Sequence, residues 1–259
     1  MMHSAAIRRS LYSDPWGRYY TDGAVGRALV SSMTVTRPTV VLDLGTGHGA
    51  LAEAARHRWK KADVIGVESD PEARVFTERG NVVLADALDP LLDHATRIPL
   101  GSVQAAISNP PFIRPKWRPE FAVLVDESGL GDCYAAIEEA GAAVLFLAQI
   151  LRFLRPGGQA GLILPDGLLS GSNHRALREH LLSTHYIRDA IELPRNAFAH
   201  ADVKTHILVL QKGGQRKGSS APVRIRTFSP TSGFSSPLLV EATEAADRLD
   251  YSYYARRRT

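Results

Sequence analysis

The chain has 259 residues, 44% hydrophobic and 22% charged, which excludes wholesale disorder, collagen and coiled coil and leaves room for a substantial core. The apolar run Ala140–Ala148 falls far short of the ~20 residues of a membrane span, and MMHSAAIRRSLYSDPW has no apolar stretch of the kind a secretory signal needs. A net charge of +4 suits a nucleic-acid partner without specifying one, and a lone Cys133 fits a reducing, cytoplasmic setting.

Short β-branched runs alternate with amphipathic stretches, the pattern of a mostly parallel sheet with helices on both faces. Thr39–Leu44 reads as a buried strand, Ala50–Arg58 as a helix and Ala62–Glu68 as a second strand. Pro71–Arg79 reads as a helix capped by Asp70, with Pro71 in its first turn. Val82–Ala85 and Val103–Ser108 are the third and fourth strands. A long helix is predicted from about Tyr134 to Leu154, ended by Pro156-Gly157-Gly158. Gln159–Leu164 (strand), Asn173–Thr184 (helix), Ile187–Leu193 (strand) and Thr205–Gln211 (strand) complete a domain spanning residues 1–212, with seven strands. Residues 213–259 read as a C-terminal extension. It has a Gly/Ser-rich basic linker, an alternating strand at Pro222–Phe228, a short helix over Leu238–Arg248 and a solvated, mobile Arg256-Arg257-Arg258.

The turn Asp43-Leu44-Gly45-Thr46-Gly47-His48-Gly49 lies between a strand and a helix. Its glycines allow positive φ and close backbone approach to a ligand, and the following helix directs its dipole there. Many α/β proteins use such a turn only to change direction. Glu68, 19 residues after Gly49, ends the second strand, where a carboxylate accepts ribose hydroxyls. Asp86 follows the third strand and either starts a turn or accepts an adenine amine. Together these residues point to an adenosine-containing cofactor. A nicotinamide dehydrogenase also fits, although its usual G-x-G-x-x-G differs from the G-x-G-x-G here.

Asn109-Pro110-Pro111-Phe112 follows the fourth strand. Two prolines stiffen the backbone and remove two N–H groups, and ligands bind at this edge of open α/β sheets. The Asn109 side-chain oxygen and the Pro110 carbonyl suit the two hydrogens of a conjugated amine, and Phe112 offers a face to a planar base. Such a corner works by positioning and by stabilising developing charge, without a metal.

In this order D-L-G-T-G-H-G, Glu68 and N-P-P-F resemble S-adenosylmethionine-dependent amino-methyltransferases. Gly17-Arg18-Tyr19-Tyr20-Thr21 resembles the [F/Y]-[F/Y]-T motif of gamma-class adenine-N6 DNA methyltransferases, which cups the methionine end of the cofactor. Leu164-Pro165-Asp166-Gly167, Glu192-Leu193-Pro194, Phe198 and Val203-Lys204-Thr205-His206-Ile207-Leu208-Val209-Leu210-Gln211-Lys212 are similar to the catalytic domain of type I restriction–modification methylation subunits.

The resemblance implies a class I methyltransferase fold: α/β, Rossmann-like, with seven strands of which one, near the end, is antiparallel. It implies S-adenosylmethionine held by Tyr20, Thr21, Asp43, Gly45, Gly47, Glu68, Asp86 and Asn109. Asn109, Pro110, Pro111 and Phe112 would form the catalytic corner, with no metal. The expected reaction methylates N6 of adenine in DNA, the base being flipped out because N6 is inaccessible inside the stack. Alternatives are an RNA adenine or protein glutamine acceptor, or a cofactor-binding subunit active only with a partner.

Two departures bear on partners. Only about 15 residues precede Trp16, where the family carries a helical domain. No target-recognition domain of ordinary size follows, although Leu249-Asp250-Tyr251-Ser252-Tyr253-Tyr254 resembles the phrase that opens one. The expectation is a minimal or truncated catalytic module that borrows recognition from a partner such as a separate specificity subunit.

Outside these motifs, His48 is either a surface imidazole or a cofactor contact. Arg114, Lys116, Trp117 and Arg118, just past the corner, form a solvated loop or a clamp for phosphates or a flipped base. Arg175, Arg178 and Arg188 read as a helix face and its flank. Lys204 and the arginine tail are further candidates for phosphate contact, and Cys133 carries no chemistry.

Overall fold

A computed structural model describes residues 21–73, 81–133, 141–195, 197–198, 203–214 and 221–258. The described part begins with helix α1 (Gly23–Ser32), an element that sequence reading does not assign. Asp22 caps it by accepting the Ala24 N–H at 2.7 Å. Gly26 serves packing: a Cβ there would come within 3.3 Å of the Ala50 carbonyl oxygen.

Strand β1 (Val40–Leu44), helix α2 (Ala50–Arg58), strand β2 (Asp63–Glu68) and strand β3 (Asn81–Leu84) follow as expected, within a residue at most ends. Most of the helix expected over Pro71–Arg79 lies outside the described residues. Helix α3 (Leu92–Thr96), strand β4 (Val103–Ser108) and helix α4 (Phe121–Glu127) lead to helix α5 (Ala142–Phe153), whose residues are all buried. Residues 134–140 of the expected long helix are outside the described set.

Strand β5 (Leu154–Pro165) begins earlier than expected, taking in the Pro-Gly-Gly stretch. The pairing with β4 shifts register there, and a Cβ on Gly158 would lie 2.7 Å from the Val103 carbonyl oxygen. Helix α6 (Asp166–Ser170), helix α7 (Arg175–Thr184), strand β6 (Tyr186–Glu192) and strand β7 (Thr205–Gln211) complete the expected set.

Strand order is β3-β2-β1-β4-β5-β7-β6, and β7 is antiparallel to both neighbours while the other pairs in this run are parallel. The sheet does not stop at seven strands. Strand β8 (Val223–Ser229) pairs parallel with β6, strand β9 (Gly233–Phe234) pairs with β8, and strand β10 (Leu238–Val240) lies antiparallel on β8. This corrects the helix expected over Leu238–Arg248. Val240 and its partner Val223 are buried together, so alternation here serves a strand, and only Ala242–Ala245 makes a helical turn (α8). Helix α9 (Tyr251–Arg257) follows, capped by Asp250. Arg256 and Arg257 thus lie in a helix rather than in a mobile tail.

Two apolar layers sandwich the sheet. One lies under α1 and α2 and holds Leu29, Met33, Val41 and Ile207. The other gathers Phe121, Leu145, Phe153, Leu162 and Leu208 on the opposite face. The chain reverses direction across the sheet between β1 and β4, which puts the carboxyl ends of these parallel strands side by side, Leu44 opposite Ser108.

Candidate active site

The switch point between β1 and β4 brings the glycine turn and the Asn-Pro-Pro-Phe corner together. Ser108 Oγ donates to the Leu44 carbonyl at 2.7 Å and ties the two strand ends at their tips. Gly45, Gly47 and Gly49 all have positive φ, at 71°, 51° and 81°, a region that glycine enters at little cost. Gly45 has a second constraint: a Cβ would sit 3.1 Å from the Phe146 ring. The N–H groups of Gly45 and Thr46 donate to the Val67 carbonyl at 2.9 and 3.0 Å.

Two carboxylates shape this turn. Asp43 is fully buried, and its Oδ2 accepts from Thr46 Oγ1 at 2.7 Å. Burial pushes its pKa up to about 7, against the opposing pull of the Thr46 hydrogen bond and the Arg56 charge. Its Oδ1 is buried and, although the Ala52 N–H pulls on the carboxylate, makes no hydrogen bond of good geometry among the described residues, a costly state that a bound donor would relieve. Glu68 accepts the Gly47 N–H through Oε2 at 2.9 Å, while Oε1 accepts the N–H groups of Ser69 and Asp70 at 2.9 and 3.0 Å.

On the other side, Asn109 Nδ2 donates to Thr21 Oγ1 at 3.1 Å. That bond joins the end of the tyrosine–threonine motif to the corner, and Tyr20 itself lies outside the described residues. Pro110 is buried and Pro111 half-buried. Phe112 is half-buried against the layer beneath α1 and α2. Asp86 stands past β3, where its Oδ1 accepts the Leu88 N–H at 2.9 Å and its Oδ2 accepts from Arg118 at 2.7 Å. The turn reading of Asp86 therefore holds, and the side chain as a whole is about half exposed.

Of the remaining candidates, His48 is exposed on the turn and Cys133 is buried. Arg178 is fully buried and donates to four carbonyls, those of Leu168, Gly171, Ala246 and Asp247. Arg175 pairs with Glu179 and Asp247. Lys204, a candidate for phosphate contact, is committed elsewhere. Its Nζ lies 2.9 Å from Asp250, 3.2 Å from Asp166 and 3.6 Å from Glu192. His206, fully buried, reaches Asp166 Oδ1 at 2.8 Å. Burial works against ionisation of Asp166, but hydrogen bonds from His206 and Ser170 and the nearby Lys204 charge hold its carboxyl well below the usual range.

Sequence reasoning missed four contributors. Thr46 has no role assigned from sequence, yet its hydroxyl donates to Asp43. Gly66 in β2 passes under it, and a Cβ there would meet the Thr46 side chain at 3.1 Å. Ser108 offered no signal beyond ending its strand. The Lys204 cluster was visible only as motif fragments far apart in sequence.

This strand order, the antiparallel β7 and the loops at the switch point define a class I S-adenosylmethionine-dependent methyltransferase fold. A putative class I S-adenosylmethionine-dependent methyltransferase from Listeria monocytogenes has a similar structure, with a TM-score of 0.63 and 20% identity, covering 88% of this chain and 72% of that one. A modification subunit of a putative type I restriction enzyme from Vibrio vulnificus YJ016 gives a TM-score of 0.65 at 19% identity, covering 88% and 50%. Residues 12–223 match the N-6 DNA Methylase family, to which the chain belongs. In sequence it is 25% identical over 224 residues to the EcoEI methylase subunit of a type I restriction enzyme from Escherichia coli, covering 78% of this chain and 44% of the relative. The chain thus spans less than half the length of that relative. Among the described residues no helix is long and apolar enough to cross a membrane, and no cluster of His, Cys, Asp and Glu suits a metal ion.

Proposed function

We propose that the chain transfers a methyl group from S-adenosylmethionine to the N6 amine of adenine in DNA. The observation that carries the reading is the juxtaposition at the switch point. A glycine turn with a buried, under-satisfied carboxylate lies beside an Asn-Pro-Pro-Phe corner, joined to it through Ser108 and Leu44. Family membership and the type I methylase relatives support the same chemistry.

The residues present fit the cofactor. Asp43 has a buried oxygen that lacks a well-placed donor, and Gly45 and Gly47 leave the backbone bare. Glu68 retains acceptor capacity on Oε2 for a ribose hydroxyl, since a carboxylate has about four lone-pair sites. Asp86 would accept the adenine amine, and Tyr20 and Thr21 would close the methionine end. Bound, the cofactor supplies an electrophilic methyl on a sulfonium.

The chain's own residues prepare the other reactant. The adenine amine is a poor nucleophile because its lone pair is delocalised into the ring. The Asn109 side-chain oxygen and the Pro110 carbonyl accept its two hydrogens. As positive charge develops on nitrogen these acceptors stabilise it, an interaction that is stronger in the transition state than in the ground state. The Asn109–Thr21 bond uses the amide's nitrogen, which agrees with its oxygen serving as the acceptor. Pro111 stiffens the corner, and Phe112 stacks on the base once it is flipped from the duplex. In the expected cytoplasmic setting, a separate specificity subunit would supply sequence recognition.

The test is incubation with tritiated cofactor and genomic DNA from a methylation-deficient host, with and without a specificity subunit. Digestion should yield labelled N6-methyladenosine as the deoxynucleoside. Label confined to RNA or protein in parallel reactions would reassign the acceptor.

A further inference from the structure

Arg118 joins the two halves of the site. It stands on the stretch 113–120 that follows the Asn-Pro-Pro-Phe corner, and its Nη2 donates to Asp86 Oδ2 at 2.7 Å. The other Asp86 oxygen is taken by the Leu88 N–H. Both oxygens therefore have a partner, one from the local backbone and one from the far side of the site. The guanidinium lies 4.5 Å from the centroid of the Phe121 ring, and Phe121 is buried edge-on to Trp117.

The stretch is secured at its ends. The Ala142 N–H donates to the Ile113 carbonyl at 2.9 Å, and the Phe121 N–H to that of Arg118 at 3.0 Å. Between those points Arg114, Lys116 and Arg118 are exposed, so the segment carries three cations beside the corner. Arg118 and Asp86 are each about half exposed. An ion pair in that setting contributes little net stability and exchanges readily for a competing partner.

We propose that Arg118 couples cofactor binding to nucleic-acid binding. This rests on the reading of Asp86 as the acceptor for the adenosyl amine. In the absence of cofactor, Arg118 holds Asp86. When the adenosyl amine engages Asp86 Oδ2, the guanidinium is released and turns to a phosphate of the nucleic acid. A phosphate that draws Arg118 away leaves Asp86 open to the amine in return. Both ligands favour the same released arrangement, so each tightens the other by the same factor. The phosphate contact positions the duplex and does not read its sequence. Arg118 is accordingly a positioning residue with two alternative anionic partners.

The experiment compares the full-length wild type with Arg118→Gln, Arg118→Lys and Lys116→Gln, each first shown to melt as the wild type does. Calorimetry gives the affinity for S-adenosylhomocysteine. Anisotropy of a fluorescein-labelled duplex, with and without saturating S-adenosylhomocysteine, gives the coupling ratio. In the wild type the ratio should be about two- to five-fold, the range an exchangeable exposed ion pair can supply. Arg118→Gln should bind the cofactor analogue more tightly, by roughly the same factor, because its competitor for Asp86 is gone. Its coupling ratio should fall to about one, and Arg118→Lys should restore part of it. Lys116→Gln should weaken duplex binding and lower its salt slope by about one while keeping the wild-type ratio. If Arg118→Gln binds the analogue no better than the wild type, or keeps the coupling ratio, the proposal is overturned while the assignment of the pocket stands. If the wild type binds no analogue at all, the assignment of the pocket fails first and takes this inference with it.

Discussion

Glu68 accepts the backbone N–H of Gly47 across 21 residues, at 2.9 Å. The carboxylate at the tip of β2 thus shapes the glycine turn at the tip of β1. Its other oxygen gathers the N–H groups of Ser69 and Asp70, so one side chain organises three backbone donors from two loops.

Replacing Glu68 by Ala should therefore do more than delete one ligand contact. The Gly47 N–H loses its acceptor and the turn loosens. Cofactor affinity should drop by about 100-fold, more than the roughly ten-fold expected of one neutral hydrogen bond. Glu68→Gln, which keeps one carbonyl oxygen, should recover part of the loss. Calorimetric titration with the cofactor reads both, and equal losses in the two variants would show that the turn is built without Glu68.

At the corner the expectation is a separation of binding from chemistry. Asn109→Ala should retain cofactor binding within about three-fold while methyl transfer falls by about 100-fold or more, the scale on which a single transition-state acceptor acts. The readouts are equilibrium dialysis with labelled cofactor and the initial rate of label incorporation. Full activity in this variant would remove Asn109 from the mechanism.

Asp43 predicts a pH dependence with a definite sign. Its folded-state pKa is raised from 3.8 to about 7 by burial. Its contribution to stability is therefore complete below pH 3.8 and is lost as pH climbs through about 7, because ionisation then has to be forced on a buried carboxyl. A cationic cofactor draws the group the other way, toward the carboxylate. Binding should release a proton near neutrality, and affinity should rise with pH up to about 7 and level off above it. Calorimetry in two buffers of different ionisation enthalpy detects the proton, and Asp43→Asn should abolish both the release and the slope.

The Lys204 cluster predicts a stability effect remote from the chemistry. Lys204 is ringed by Asp166 at the end of β5, Glu192 at the end of β6 and Asp250 at the start of α9. Lys204→Met would leave three partly buried carboxylates without their cation, and removing one partner of such a set costs about 3 kcal/mol. The melting temperature should fall, and the segment carrying α8 and α9 should become the first site of limited proteolysis. An unchanged melting temperature would mean that Arg178, with its four carbonyl acceptors, suffices to seat that segment.

What the sequence disclosed followed the kind of interaction involved. The β1 and β4 strands and their turns were legible because apolar runs, glycines and prolines act locally. The positions of Asp43, Glu68 and Asn109 at or beside strand ends were legible for the same reason. Thr46 and Gly66 were not legible: their meeting depends on β1 lying beside β2 in one register, with Thr46 folded over the gap. The segment Leu238–Val240 was misread because three apolar residues in a row suit a helix or a buried strand equally, and only the presence of β8 decides between them. Lys204 reads as a candidate for phosphate contact because the three acids that ring it, Asp166, Glu192 and Asp250, are far from it along the chain.

The extension of the sheet past β6 has a consequence for solubility. Without β8, the backbone of β6 would offer a seven-residue unpaired border, the kind of template on which chains add to one another. With β8 and β10 in place, the outermost strands among the described residues are Leu238–Val240 at one margin and Asn81–Leu84 at the other, three and four residues long. Margins that brief give a neighbouring molecule little to zip onto, so the final strands serve as a guard against self-association as much as a continuation of the architecture.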